Sequence, residues 1–207
     1  MKKTLTALLL LALFTACDKD ESSPTTNYSP MTAGSTWTYQ NNSGANYTLT
    51  ATNRDTSLLG NTFKVFTSTN GINQYRRKSG NDYFRSASLP GISNNVFEEL
   101  YLKDGAEVNA TWQGSQTINA PGIPIPLTAT LTYTVKEKGV SRTVGNRTFN
   151  NVIHIRLDIS VANAGNVGGG DFYYAEGIGM IENAVLVTFG GQQVANTSEI
   201  LTTYSIQ

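Results

Sequence analysis

The stretch 152–161, Val-Ile-His-Ile-Arg-Leu-Asp-Ile-Ser-Val, alternates in character with a period of two along its whole length. Ile153, Ile155, Leu157, Ile159 and Val161 fall on one side, and His154, Arg156, Asp158 and Ser160 on the other. Successive side chains of a strand point to opposite faces, so this pattern demands a strand with one dry side, whereas an amphipathic helix would show a period of 3.6. The same alternation recurs over 129–135, and over 200–206, where Ile200, Thr202, Tyr204 and Ile206 align. Threonine is abundant because its β-branched side chain suits a pleated surface.

Turn signals separate these runs: Asn70-Gly71, Gly80-Asn81, Lys103-Asp104-Gly105 and Gly145-Asn146. Asn-Gly accepts the positive φ values of a tight hairpin, which pairs 62–69 with 72–78 and the latter with 82–88. The proline-rich piece 120–126 cannot be a central strand, because proline lacks the ladder donor. The one candidate helix is 96–101, with Asn95 as a possible cap and Glu98 three residues later, and a strand fits that segment as well. The expected fold is therefore mainly β. It is a single antiparallel domain of about ten strands, a curved sheet or half-barrel or a two-sheet sandwich, with at most one short helix. A weak internal echo links "LLGNTFKVF" from Leu58 with "TVGNRTFNNVIHI" from Thr143, each a Gly-Asn turn followed by an extended apolar run.

The N-terminus has a different grammar. Lys2 and Lys3 precede an apolar run from Leu5 to Phe14, interrupted only by Thr6, and the small pair Thr15-Ala16 precedes Cys17, the sole cysteine. A positive start, an apolar middle and small residues at the cut make a secretory signal over residues 1–16. The apolar part is about half the roughly twenty residues that a membrane-spanning helix needs. The end of this segment resembles the bacterial lipobox, with Phe14 in the place usually held by Leu, and the resemblance implies that Cys17 becomes an acylated N-terminus. Several acyl chains on one residue, at about 0.8 kcal/mol per buried CH₂, would anchor the protein to a membrane. The charged cluster Asp18, Lys19, Asp20 and Glu21 is similar to the surface-export tags of lipoproteins in Bacteroidota-type bacteria. Residues 17–30 then form the acylated cysteine and a flexible polar tether, too poor in apolar residues to fold, and 31–207 the β-rich domain.

Removing residues 1–16 from the 207 leaves 191, enough for one domain with a substantial core. That loss takes Lys2 and Lys3, leaving 13 of the 15 basic residues against 15 acidic ones, a net charge near −2. No basic patch stands out beyond Arg76-Arg77-Lys78, which argues against nucleic acid as a partner. One cysteine excludes an internal disulfide, and one cysteine with one histidine excludes an ordinary zinc or iron–sulfur site, so no cofactor is expected.

Chemistry has few footholds. His154 and Asp158 share a face but lie about 13 Å apart at ~3.3 Å per residue, too far for a hydrogen-bonded dyad, and His154 reads as solvent-facing. Glu98 and Glu99 would point to opposite faces of a strand, or sit side by side on a wet helix surface; both placements imply solvation rather than the converging carboxylates of a glycosidase. Gly168-Gly169-Gly170-Asp171 lacks the lysine of a phosphate-binding loop and reads as a flexible loop. What remains is aromatic and polar: Trp112, Tyr75, Tyr173 and Tyr174, set among Asn, Gln and Thr, could stack on sugar rings or grip peptides if exposed.

Three longer motifs, "GSTWTY" from Gly34, "GNRTFNNVIHI" from Gly145 and "YYAEGIGMIEN" from Tyr173, resemble motifs of uncharacterised outer-membrane and surface lipoproteins of Bacteroidota-type bacteria. The resemblance implies a β-rich domain displayed from an outer membrane, sometimes likened to the half-barrels of lipoprotein carriers, and carries no catalytic residue. Bottom-up, Trp37 and Tyr39 share one face of a first strand, and Gly177 and Gly179 bend the chain around Ile178. The functional expectation is a lipid-anchored, non-catalytic protein that binds a ligand or serves envelope assembly. Its alternatives are a glycan-binding module, a carrier of a lipid or other apolar ligand, and a hydrolase with an unrecognised site. A carrier requires an apolar cavity of several hundred cubic ångströms, and a glycan binder an exposed aromatic row.

Overall fold

A computed structural model describes residues 26–89, 93–118 and 126–207, and among them the chain forms twelve strands and no helix. They are β1 (Thr36–Asn41), β2 (Asn46–Leu58), β3 (Asn61–Ser68), β4 (Gln74–Ser79), β5 (Asp82–Leu89), β6 (Ser93–Lys103), β7 (Thr111–Ile118), β8 (Leu127–Val144), β9 (Arg147–Val161), β10 (Gly165–Ala175), β11 (Gly179–Phe189) and β12 (Gln192–Ser205). The segment 96–101, where helix and strand competed, is strand. Both predicted hairpins form, with Val65 opposite Tyr75 and Lys78 opposite Tyr83.

All twelve strands belong to one antiparallel sheet in the order β6-β5-β4-β3-β2-β1-β12-β11-β10-β9-β8-β7, which curls into a nearly closed barrel. Every neighbour is the next strand in sequence except at one place, where β1 pairs with β12. The sheet is thus two six-stranded meanders joined at their outer members. The repeated Gly-Asn turns occupy matching positions in the two halves, between β2 and β3 and between β8 and β9. Thr36-Trp37 and Thr111-Trp112 likewise begin the first strand of each half, an echo that the sequence carries but that the strand count alone makes visible.

The open seam lies between β6 and β7, the two ends of the sheet. Side chains bridge it. The Trp112 indole Nε1 donates to the Leu100 carbonyl at 2.8 Å, and its ring stacks on Tyr133 at 5.4 Å. A barrel without this bridge would leave two long edges able to pair with other chains.

On β9 the alternation does what the sequence requires: Ile153, Ile155, Leu157, Ile159 and Val161 are all buried inside. At 200–206 the strict alternation is broken: Leu201, 3% exposed, lies opposite Tyr39, and Tyr204, 38% exposed, lies opposite Trp37, so that the two share a face. A bulge between Thr38 and Tyr39 makes that break by shifting the β1–β12 register. The run Gly168–Gly170 is part of β10, not a loop. Its lack of side chains lets β10 sit tightly between its neighbours; a Cβ on Gly169 would stand 1.9 Å from the Leu157 carbonyl oxygen.

The barrel interior is divided along its axis. One half is filled by aromatic rings, including Trp37, Tyr39, Phe66, Tyr83, Tyr101 and Tyr174, all 4% exposed or less. The Trp37 indole donates to the Ile178 carbonyl at 2.7 Å, in the bend that Gly177 and Gly179 permit. Residues 26–30, the last part of the expected tether, pack into this end. Tyr28 is 5% exposed, its amide donates to the Tyr83 hydroxyl, and that hydroxyl donates to Asp104 at 2.6 Å.

The outer face is ionic. Arg77 pairs with Glu98, Arg142 with Glu182, and Arg156 with both Asp158 and Asp171. Apolar inside and charged outside is the reverse of a membrane-spanning barrel, whose lipid-facing band is apolar.

Candidate functional site

The other half of the barrel forms a half-open cavity of about 480 Å³. Its walls come from facing strands: Leu131 on β8, Leu157 and Ile159 on β9, Phe172 on β10, Val185 and Val187 on β11, with Leu89 and Phe97 from β5 and β6. Register explains their grouping. Val187, Ile159 and Leu131 form one layer across β11, β10, β9 and β8, with Gly168 contributing no side chain between them, and Val185 and Leu157 form the next around Gly170.

Polar groups gather in the layer between this cavity and the aromatic half. Arg85 on β5 lies directly opposite Glu99 on β6. The guanidinium donates from Nε to Glu99 Oε2 at 2.6 Å and from Nη2 to Oε1 at 2.8 Å, and the Tyr133 hydroxyl donates to Oε1 at 2.8 Å. Glu99 is 5% exposed, which corrects the expectation that Glu98 and Glu99 are both solvated. They do point to opposite faces, but the inward one meets an arginine. A buried carboxylate requires such a partner. Glu98 faces outward, bound by Arg77 and by Asn61.

Across the same layer, Glu199 on β12 lies opposite Asn183 on β11. The Asn183 amide donates to Glu199 Oε2 at 2.7 Å and the Tyr47 hydroxyl to Oε1 at 2.7 Å. Burial, reinforced by the adjacent Glu199, pushes the Tyr47 phenol far above its ordinary pKa, and burial with Glu99 does the same to Tyr133. Both phenols therefore stay protonated donors throughout the physiological range. Burial alone would lower the Arg85 pKa, but the Glu99 ion pair outweighs it and raises it. Arg85 keeps 30% of its side-chain surface accessible and lines the cavity. The arrangement is a largely apolar chamber with a charged, hydrogen-bonding floor.

The sequence candidates lie elsewhere and do not converge. No ring contact among the described residues joins any two of Trp112, Tyr75, Tyr173 and Tyr174. Trp112 closes the seam, Tyr174 is 3% exposed among the core rings, and Tyr75 is half-buried on β4. The Tyr173 ring is covered by His154, stacked at 4.3 Å, and by the Arg142 guanidinium, 3.3 Å from its centroid. Cys17, Asp18, Lys19, Asp20 and Glu21 lie outside the described residues, as does 120–125 of the proline-rich piece.

His154 is half-buried rather than solvent-facing. Its partner is Asp171 on the neighbouring strand, not Asp158 on its own: Nε2 donates to Asp171 Oδ1 at 2.8 Å, while Nδ1 lies 3.5 Å from Glu137. Arg156 donates to the other Asp171 oxygen at 2.8 Å. Burial would raise the Asp171 pKa, but the hydrogen bonds from His154 and Arg156 outweigh it and hold the carboxyl below the usual range. No hydroxyl or thiol is hydrogen-bonded to the imidazole among the described residues, so the pair lacks an adjacent nucleophile.

Sequence reasoning missed Arg85, Glu99 and Glu199 as a group. The available signal was a charged residue at an inward position of an alternating strand, as in Phe97-Glu98-Glu99-Leu100-Tyr101, where Phe97, Glu99 and Tyr101 share a face.

No protein-family model matches the sequence, and no curated protein matches it. Two crystal structures are similar in fold. One, a presumed lipoprotein from Parabacteroides distasonis, is 13% identical with a TM-score of 0.49, the likeness covering 88% of this chain and 100% of that one. The other, a presumed exported protein with a YmcC-like fold from Bacteroides fragilis, is 11% identical with a TM-score of 0.47, covering 85% of this chain and 97% of that one.

Proposed function

We propose that this protein is a lipid-anchored binder of an apolar ligand, which it holds inside the barrel without catalysis. The observation that carries the reading is the 480 Å³ cavity with walls of Leu, Ile, Val and Phe. Close-packed interiors hold few voids larger than a water molecule, and ligand pockets run from about 300 to 1,000 Å³. An apolar cavity of this size costs stability that larger side chains at a few positions would recover, which supports a role in holding a ligand.

The N-terminal pattern supplies the location. Residues 1–16 direct export, Cys17 carries the lipid, and the barrel stands at the outer membrane on a short tether whose charged cluster favours the cell surface. The ionic outer face keeps the domain itself in water.

The test is binding of N-phenyl-1-naphthylamine, an apolar dye that fluoresces in dry surroundings. Purified protein is expected to enhance its emission saturably at one site per chain, and dodecanol is expected to displace it. Absence of saturable binding overturns the reading. Separately, Cys17→Ala is expected to move the protein from the membrane fraction to the soluble one, and continued attachment of that variant refutes the anchor.

A further inference from the structure

We infer that the cavity's occupant bears a non-anionic head that donates hydrogen bonds, a primary amine or an alcohol, and that Glu199 selects it; this rests on the cavity being a ligand site. The chamber's charged groups gather at one end, and Ser88, Asn196 and Thr197 add neutral polar groups to its walls. Its ionic lining groups are Arg85, Glu99 and Glu199, one guanidinium against two carboxylates, which leaves one net negative charge. Arg85 and Glu99 are committed to each other through two parallel hydrogen bonds, a geometry that satisfies both charges.

Glu199 is different. Both of its donors are neutral, the Tyr47 phenol and the Asn183 amide, each at 2.7 Å. None of the ion pairs among the described residues includes it. Arg76 acts on the phenols of Tyr39 and Tyr47 from the filled half of the barrel and does not line the chamber. Each carboxylate oxygen of Glu199 has accepted one hydrogen bond and can accept another.

An amphiphile entering head-first, with its tail left along Leu131, Leu157, Ile159 and Val187, would bring its head to this layer. A carboxylate or phosphate head would set a second negative charge beside Glu199, whose two hydrogen-bond donors are both neutral, where repulsion is screened less than in bulk water. An ammonium or hydroxyl head would fill the open acceptor positions and, for the amine, neutralise the charge.

The experiment is dye displacement from the full mature protein at pH 7 by three probes of equal chain length: dodecylamine, dodecanol and dodecanoate. Dodecylamine is expected to displace at a concentration at least about tenfold below dodecanoate, with dodecanol between them. The wild-type ranking needs no variant, so it stands even if a substitution disturbs folding. In Glu199→Gln the amine is expected to lose about tenfold while dodecanol shifts less than about threefold. Dodecanoate binding as tightly as the amine to the wild type overturns the head assignment and leaves the apolar chamber standing. A gap that survives Glu199→Gln overturns the role given to Glu199. If the dye binds saturably to no site at all, the chamber reading falls, and this one with it.

Discussion

A single residue changed meaning between strand neighbours and sheet neighbours. Along β9 the nearest acid on the face of His154 is Asp158, beyond reach, whereas across the ladder Asp171 is 2.8 Å away. Because the folded pKa of Asp171 is lowered, its hydrogen bonds stabilise the protein above the unfolded value of about 3.9 and are lost as pH falls through the folded value. Asp171→Asn is therefore expected to be less stable than wild type at pH 6, with the difference shrinking as pH drops from about 4 toward 2. Urea midpoints measured at pH 6 and pH 3 check this, and a difference that stays constant or widens on acidification contradicts it. Glu99 makes the same point from inside the barrel. Its charge predicts solvent, and only the register that sets it opposite Arg85 makes burial tolerable.

At the scale of elements, period and turn chemistry were legible where they were strict. β9 and the first part of β8 came out as their alternation demanded, and the hairpin at Asn70-Gly71 formed, though around a five-residue loop, 69–73, in which only Gly71 takes a positive φ. The glycine run in β10 was not legible, since glycine signals a loop and a close backbone approach equally well. Which of the two applies depends on how near β9 and β11 come. The structure answers with a φ of +159° at Gly169 and a Leu157 oxygen where a Cβ would go. Gly169→Ala is accordingly expected to cost about 3 kcal/mol or more, against about 0.5 kcal/mol or less for Gly114→Ala on β7, where nothing lies within 4 Å of the added Cβ. Chemical denaturation of the two variants side by side checks the contrast, and equal costs would refute the close-packing account of β10.

At the scale of the whole molecule, the barrel is half solid and half hollow, and that division decides where a ligand fits. Val187 lines the hollow half at 5% exposure. Val187→Phe is expected to raise stability by about 0.5–2 kcal/mol by filling space, and to weaken dye binding in the same protein. Thermal unfolding and dye titration read the two effects; a variant that gains stability and binds the dye unchanged would show that the space serves no ligand.

By itself the sequence determined the β class, the pairing of β3 with β4 and of β4 with β5, and the inward faces of β8 and β9, because each of these is written in local period or local turn chemistry. Closure through β1 and β12, the broken alternation of β12, the pairing of Arg85 with Glu99, and the chamber above them were decided only by the tertiary structure. Those features depend on register between strands and on volume left unfilled, and neither quantity is carried by any one segment of the chain.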